Sequence, residues 1–194
     1  GVDSLRYYLI SSPVVVAQDI LFSEKGVDDV SKKLLQRLDN VLAFYELYAD
    51  TIDKNTPSTP SKDVLDTWIV ARLEETCDEV TKGLESYRLD SAARPLMSFV
   101  DDLSTWYVRR SRDRFKSDDK AERVKALGTT RYVLREFAKI SAPVIPFYAE
   151  YLFGRVKFAS DKESVHLEQW PKYTAPSKKV IEDMKETRRL VTTA

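Results

Sequence analysis

Four stretches of this chain repeat apolar residues at threes and fours, and this periodicity limits the fold more than any other feature. Val27, Val30, Leu34, Leu38, Val41, Leu42, Tyr45 and Tyr48 mark the first stretch, 27–50. Leu65, Trp68, Ile69, Arg72, Leu73, Cys77, Val80 and Leu84 mark the second, 63–86. A third runs from Asp90 to about Arg114, and a fourth, 120–141, carries Val124, Leu127, Leu134, Phe137 and Ile140. Each set shares one helix face, because a helix repeats every 3.6 residues. Long helices joined by short links must run antiparallel and bury their stripes against one another. The expected fold is therefore all-α, an antiparallel helix bundle. With 5 glycines in 194 residues, the chain has few for an all-β fold or a glycine-loop nucleotide fold.

The third stretch changes character as it ends, in the run 101–115. At about 100° per residue, Ala92, Phe99, Leu103, Trp106 and Arg110 fall on one line, with Leu96 and Arg114 beside it. Arginine thus replaces the apolar stripe at the C-terminal end. Rings and guanidinium groups at a helix end suit a phosphate backbone and unstacked bases, since arginine binds phosphate bidentately and both groups stack on bases. A purely structural reading fits as well. Cations are favoured at a helix C-terminus by the dipole alone. Arg109 has Asp102 and Asp113 within helical reach, and Arg110 could serve as a half-buried ion-pair partner. The residue pattern leaves both readings open.

Composition narrows the classes. A hydrophobic fraction of 43% with 32% charged residues describes a globular chain. The 31 basic and 31 acidic residues balance, which argues against an arm that coats nucleic acid indiscriminately and leaves room for one local basic patch. Cys77 is the single cysteine, so no disulfide or cysteine metal cluster is expected, and it reads as a small core residue. His166, the only histidine, reads as structural. No apolar run approaches membrane-spanning length and no signal peptide is evident, so a cytoplasmic protein is expected. The chain opens Gly1-Val2-Asp3 and reads as a piece of something longer. Carboxylates are spread along helix faces, and no residue is assigned to catalysis, to a cofactor or to a metal.

Elsewhere, residues 1–12 read as a short helix stopped by Pro13, 13–25 as irregular, and 51–62 as a proline-containing loop. Asp90 is expected to cap the third helix, and Asp118 or Asp119 the fourth. A further helix follows Pro146. Residues 164–171 are expected to run extended, anchored by Val165, Leu167 and Trp170. Residues 176–194 read as a thin-striped helix (Val180, Met184, Arg188, Val191), peripheral to the bundle. The expected division is a connecting helix and linker over 1–25, the bundle over 26–171, and a C-terminal peripheral helix over 172–194.

The run Phe99-Val100-Asp101-Asp102-Leu103-Ser104-Thr105-Trp106-Tyr107-Val108-Arg109-Arg110-Ser111-Arg112-Asp113-Arg114-Phe115 resembles the anticodon-binding domain of the isoleucyl-tRNA synthetases, class I aminoacyl-tRNA synthetases. The likeness extends over nearly the whole chain to about Pro171. It takes in Gly1 to Leu9, Phe22 to Val27, Leu65 to Leu73, Ala142 to Phe147 and Ser164 to Pro171. It implies an anticodon-arm binding module, with isoleucine-accepting tRNA and the rest of the synthetase as partners, in a monomer. ATP would be the parent enzyme's cofactor, with zinc left open. The family's His-Ile-Gly-His and Lys-Met-Ser-Lys-Ser signatures are absent here, so this piece is expected to be inactive alone. The expected tRNA contacts are Arg112 and Arg114, then Arg109 and Arg110, with Tyr107 at the edge of the core line and Lys116 and Lys120 as backbone contacts. Trp106 is expected in the core. Two other classes compete, a helical protein-interaction scaffold without nucleic acid and, more weakly, a helical cofactor bundle.

Overall fold

The computed structural model describes residues 1–51, 59–173 and 176–193. Among them every regular element is helical. Helix α1 (Val2–Ile10) leads to a 3-10 turn (Pro13–Val16). Next comes a continuous helix made of α2 (Glu24–Val30), a π-helical turn (Ser31–Leu35) and α3 (Gln36–Glu46). After α4 (Val64–Glu85), a second continuous helix joins α5 (Leu89–Asp101), a π turn (Asp102–Val108) and α6 (Arg109–Phe115). Helices α7 (Lys120–Ser141), α8 (Pro146–Val156) and α9 (Lys178–Thr193) complete the order. The antiparallel all-α bundle expected from periodicity is observed. The first long helix starts three residues early and ends near Glu46. Of the loop expected over 51–62, residues 52–58 lie outside the described residues.

Local chemistry sets the boundaries. The Asp119 side chain accepts from the Ala121 amide at 2.8 Å, capping α7 as expected. Asp90 does not cap. It lies in the first turn of α5, where it pairs with Arg88 and Arg94, and Arg88 holds the cap position. Residues 165–167 form a 3-10 turn rather than an extended run. Val165 is buried and the Trp170 indole donates to Thr81 at 2.9 Å, but Leu167 faces solvent. Helix α9 docks along one face on α4, with Met184 buried and Val180 packed against the core.

The core runs through all the long helices, with Leu34, Leu38, Trp68, Ile69, Phe99, Phe115, Phe137 and Phe153 fully enclosed. Phe99 stacks on Phe137, ring centroids 5.4 Å apart, tying the third long helix to α7. Helices α4 and α5 pack backbone to backbone at Gly83. A Cβ there would lie 2.6 Å from the Ala92 amide nitrogen and 2.8 Å from its Cα. The obstacle is backbone, so only separating the helices relieves it. Gly83→Ala is therefore expected to lose stability despite alanine's helix preference of about 1 kcal/mol, with a net cost of roughly 1–2 kcal/mol read by thermal unfolding.

Candidate nucleic-acid interface

The π turn at Asp102–Val108 decides which side chains the arginine-rich end presents. A π turn closes its hydrogen bonds one residue later than an α turn, so it inserts one residue into the helix. Beyond Leu103 the buried positions include Tyr107, Ser111 and Phe115, each four residues on, with Val108 buried beside Tyr107. The line that regular steps carry to Trp106, Arg110 and Arg114 is displaced by one residue. Tyr107 takes the core position, Trp106 is left half-buried, and Arg110 is exposed.

Two of the expected contacts are drawn inward, Tyr107 by this displacement and the half-buried Arg114 by its ion pairs. Tyr107 is fully enclosed and donates its hydroxyl to Asp66 Oδ1 at 2.7 Å. Arg114 is committed to the same carboxylate through two bonds, at 2.9 and 2.8 Å, with Asp63 and Glu122 close by. Ser61 also donates to Asp66. This network fastens α6 to the start of α4. Burial raises the Asp66 pKa, but the bonds from Arg114, Ser61 and Tyr107 outweigh it and hold the carboxyl below its usual range. The Asp66 bond in turn raises the Arg114 pKa. A guanidinium already shared among carboxylates has little left to offer a phosphate.

The remaining cations form a ridge. Arg109, Arg110, Arg112 and Lys116 are all exposed, with no ion pair among the described residues. Asp102 is not the partner of Arg109. Its two oxygens accept from Arg188 and, at 2.9 Å, from Arg72 Nε. Arg109, Asp113 and Lys116 point outward along α6, flanked by the two other arginines, each beside a ring. The Arg110 guanidinium lies 4.7 Å from the Trp106 ring centroid, and that of Arg112 lies 5.8 Å from Phe44. A ring beneath a guanidinium limits its rotation and leaves its N–H edges free, an arrangement suited to phosphate oxygens. Lys120 is exposed at the start of α7, beside this ridge in sequence.

The sequence reading placed Trp68 in the core and Arg188 on the line of α9, but it assigned neither Arg188 nor Phe44 to this end of the bundle. The Arg188 guanidinium lies 5.8 Å from Trp68 and 5.2 Å from Trp106. Its signal was its place on the apolar line of α9, where a charge needs a partner.

Other chemistries find little support in the side chains present. Cys77 is buried, which pushes its thiol pKa up to about 11, and His166 is exposed. Among the described residues no three of His, Cys, Asp and Glu gather as a metal set, and no helix is long and apolar enough to cross a membrane.

Comparison with known proteins adds a family. The model of the anticodon-binding domain of tRNA ligase matches residues 66–194. The isoleucine–tRNA ligase of Chlamydia trachomatis serovar D is 40% identical over 174 residues. That of Chlamydia muridarum is 41% identical over 174 residues, and that of Chlamydia pneumoniae 39% over 175. Each match takes in 88% of this chain and 17% of the relative, so the chain spans about a sixth of their length. A crystal structure of a LeuRS–tRNA–LeuAMS ternary complex from Agrobacterium radiobacter K84 superposes with a TM-score of 0.60 at 16% identity. The superposition covers 93% of this chain and 20% of that one, and the likeness is one of fold.

Proposed function

Because this chain belongs to the anticodon-binding domain family of tRNA ligases, we propose that it grips the anticodon arm of a tRNA through the α6 ridge. The observation that carries this reading is the sorting of the arginines. Arg114 is neutralised by buried Asp66, while Arg109, Arg110 and Arg112, with Asp113 exposed among them, stay exposed and form no ion pair among the described residues, in a chain of zero net charge. Surface cations normally gain a little from a nearby carboxylate. A helix turn that leaves three arginines without one presents a local positive field to an anionic partner. The relatives' name supports an isoleucine-accepting tRNA as that partner. It also supports a parent enzyme that joins isoleucine to the tRNA in parts outside this chain; that the parent uses ATP and is monomeric and cytoplasmic belongs to the same proposal.

Titrating the 194-residue chain with isoleucine-accepting tRNA and with a non-cognate tRNA, at several salt concentrations, tests the proposal. Three or four phosphate contacts predict a slope of about −3 for log affinity against log salt. Tighter binding of the isoleucine-accepting tRNA would place identity reading in this chain. Equal, salt-sensitive binding would restrict its role to grip. Salt-insensitive or undetectable binding to both would overturn the proposal in favour of a protein-interaction scaffold.

A further inference from the structure

We infer that Arg188, on the last helix, is a positioning residue for Arg110, acting through the Trp106 ring and the Asp102 carboxylate. The inference rests on the function proposed above and assigns to α9 a part in the same interface.

The Trp106 indole is half-buried, and its Nε1 is enclosed without a hydrogen-bond partner. The ring is therefore held by packing and by what lies on its faces. Arg110 and Arg188 both approach it, at 4.7 and 5.2 Å from the centroid. Arg188 also lies over Trp68, which is only 1% exposed and cannot shift without disturbing the core. The enclosed Trp68 indole thus orients Arg188, Arg188 orients the half-buried Trp106 indole, and that indole carries the guanidinium turned to solvent.

The carboxylate adds a second effect. Asp102 lies in the π turn of the helix that carries Arg110, and its side chain is largely buried. Arg188 bonds one oxygen and Arg72 the other. A buried carboxylate attracts cations more strongly than one in water, because the surroundings screen it less. If Arg188 were removed, one Asp102 oxygen would lose its partner. Lys185 lines the same cleft and Arg72 already holds the other oxygen, so the buried carboxylate fixes where Arg188 sits. Anchored on Asp102, Arg188 thus holds in place the ring that carries Arg110.

The test compares the 194-residue chain with Arg110→Ala, Arg188→Ala, the double variant and Arg188→Lys, each titrated with isoleucine-accepting tRNA at several salt concentrations. Thermal unfolding first establishes that each is folded at the assay temperature. If Arg188→Ala is not, Arg188→Gln takes its place. Arg110→Ala is expected to lose about tenfold in affinity and about one unit of salt slope. Arg188→Ala should reproduce most of both losses, and the double variant should bind no more weakly than Arg110→Ala. Arg188→Lys keeps a cation for Asp102 but not the planar contact with the rings, and should recover part of the loss. A change in melting temperature with an unchanged salt slope would overturn the inference, because Arg188 would then only hold α9 down. Multiplying losses in the double variant would overturn it too, because Arg188 would act independently. If Arg110→Ala weakens binding and Arg188→Ala does not, this inference falls and the proposed function stands. If the parent chain does not bind, both fall.

Discussion

Asp66→Ala is expected to destabilise the chain by about 3 kcal/mol, at the lower end of the range for breaking a buried ion pair, and to lower its melting temperature by about 6–12 °C. The loss is large because Asp66 is fully buried and is the shared acceptor for Arg114, Tyr107 and Ser61. Removing it leaves the half-buried Arg114 charge with only Asp63 at 3.3 Å and Glu122 at 3.6 Å, and leaves an enclosed phenol without its acceptor. Acid should act in the same direction. The folded-state pKa of Asp66 lies below the unfolded value. Its contribution is therefore complete above the unfolded carboxylate range, near pH 4, and is lost as pH falls through the folded pKa. The stability gap between the parent chain and Asp66→Ala should narrow as the solution is acidified, which unfolding curves at several pH values would show. A gap that stayed constant, or widened in acid, would mean that Asp66 is not held ionised by Arg114.

The network was invisible from either side of its sequence separation. Asp66 and Arg114 are on different helices, and nothing in the spacing of either one names the other. What the sequence carried well was the helical period of each long element, because large apolar residues at threes and fours fit one face of a helix and little else. Core positions such as Trp68, Ile69, Leu73 and Val80 followed from that period. The period failed within one helix, at the π turn, where Tyr107 and Trp106 exchanged roles. The sequence did hold a trace of this. Leu103, Tyr107, Ser111 and Phe115 keep a strict spacing of four, which drifts around a regular α-helix by about 40° at each step. Over three steps the drift reaches about 120°, and the extra residue of the π turn reduces it and keeps all four on one buried face. Arg188 escaped for a different reason. Its partners Trp68, Trp106 and Asp102 lie on two other helices, so its place on an apolar line signalled a partner without naming one.

The π turn also sorts the arginines, and replacing Arg109, Arg110 and Arg112 together by alanine should expose that sorting. Hydrogen bonds to charged groups contribute about 1.5–3 kcal/mol each, so three lost phosphate contacts should lower tRNA affinity by about a thousandfold. The salt slope should fall by about three units. Folding should be nearly unaffected, because all three side chains are exposed and form no ion pair among the described residues. Arg114→Ala should behave in the opposite way. It removes the partner of a buried carboxylate, so it should cost stability, while at a temperature where the variant is folded the salt slope should stay unchanged. Equal slopes for the triple variant and the parent chain would remove α6 from the interface. A lower slope for Arg114→Ala would mean that tRNA draws Arg114 away from Asp66, and that the buried network opens on binding.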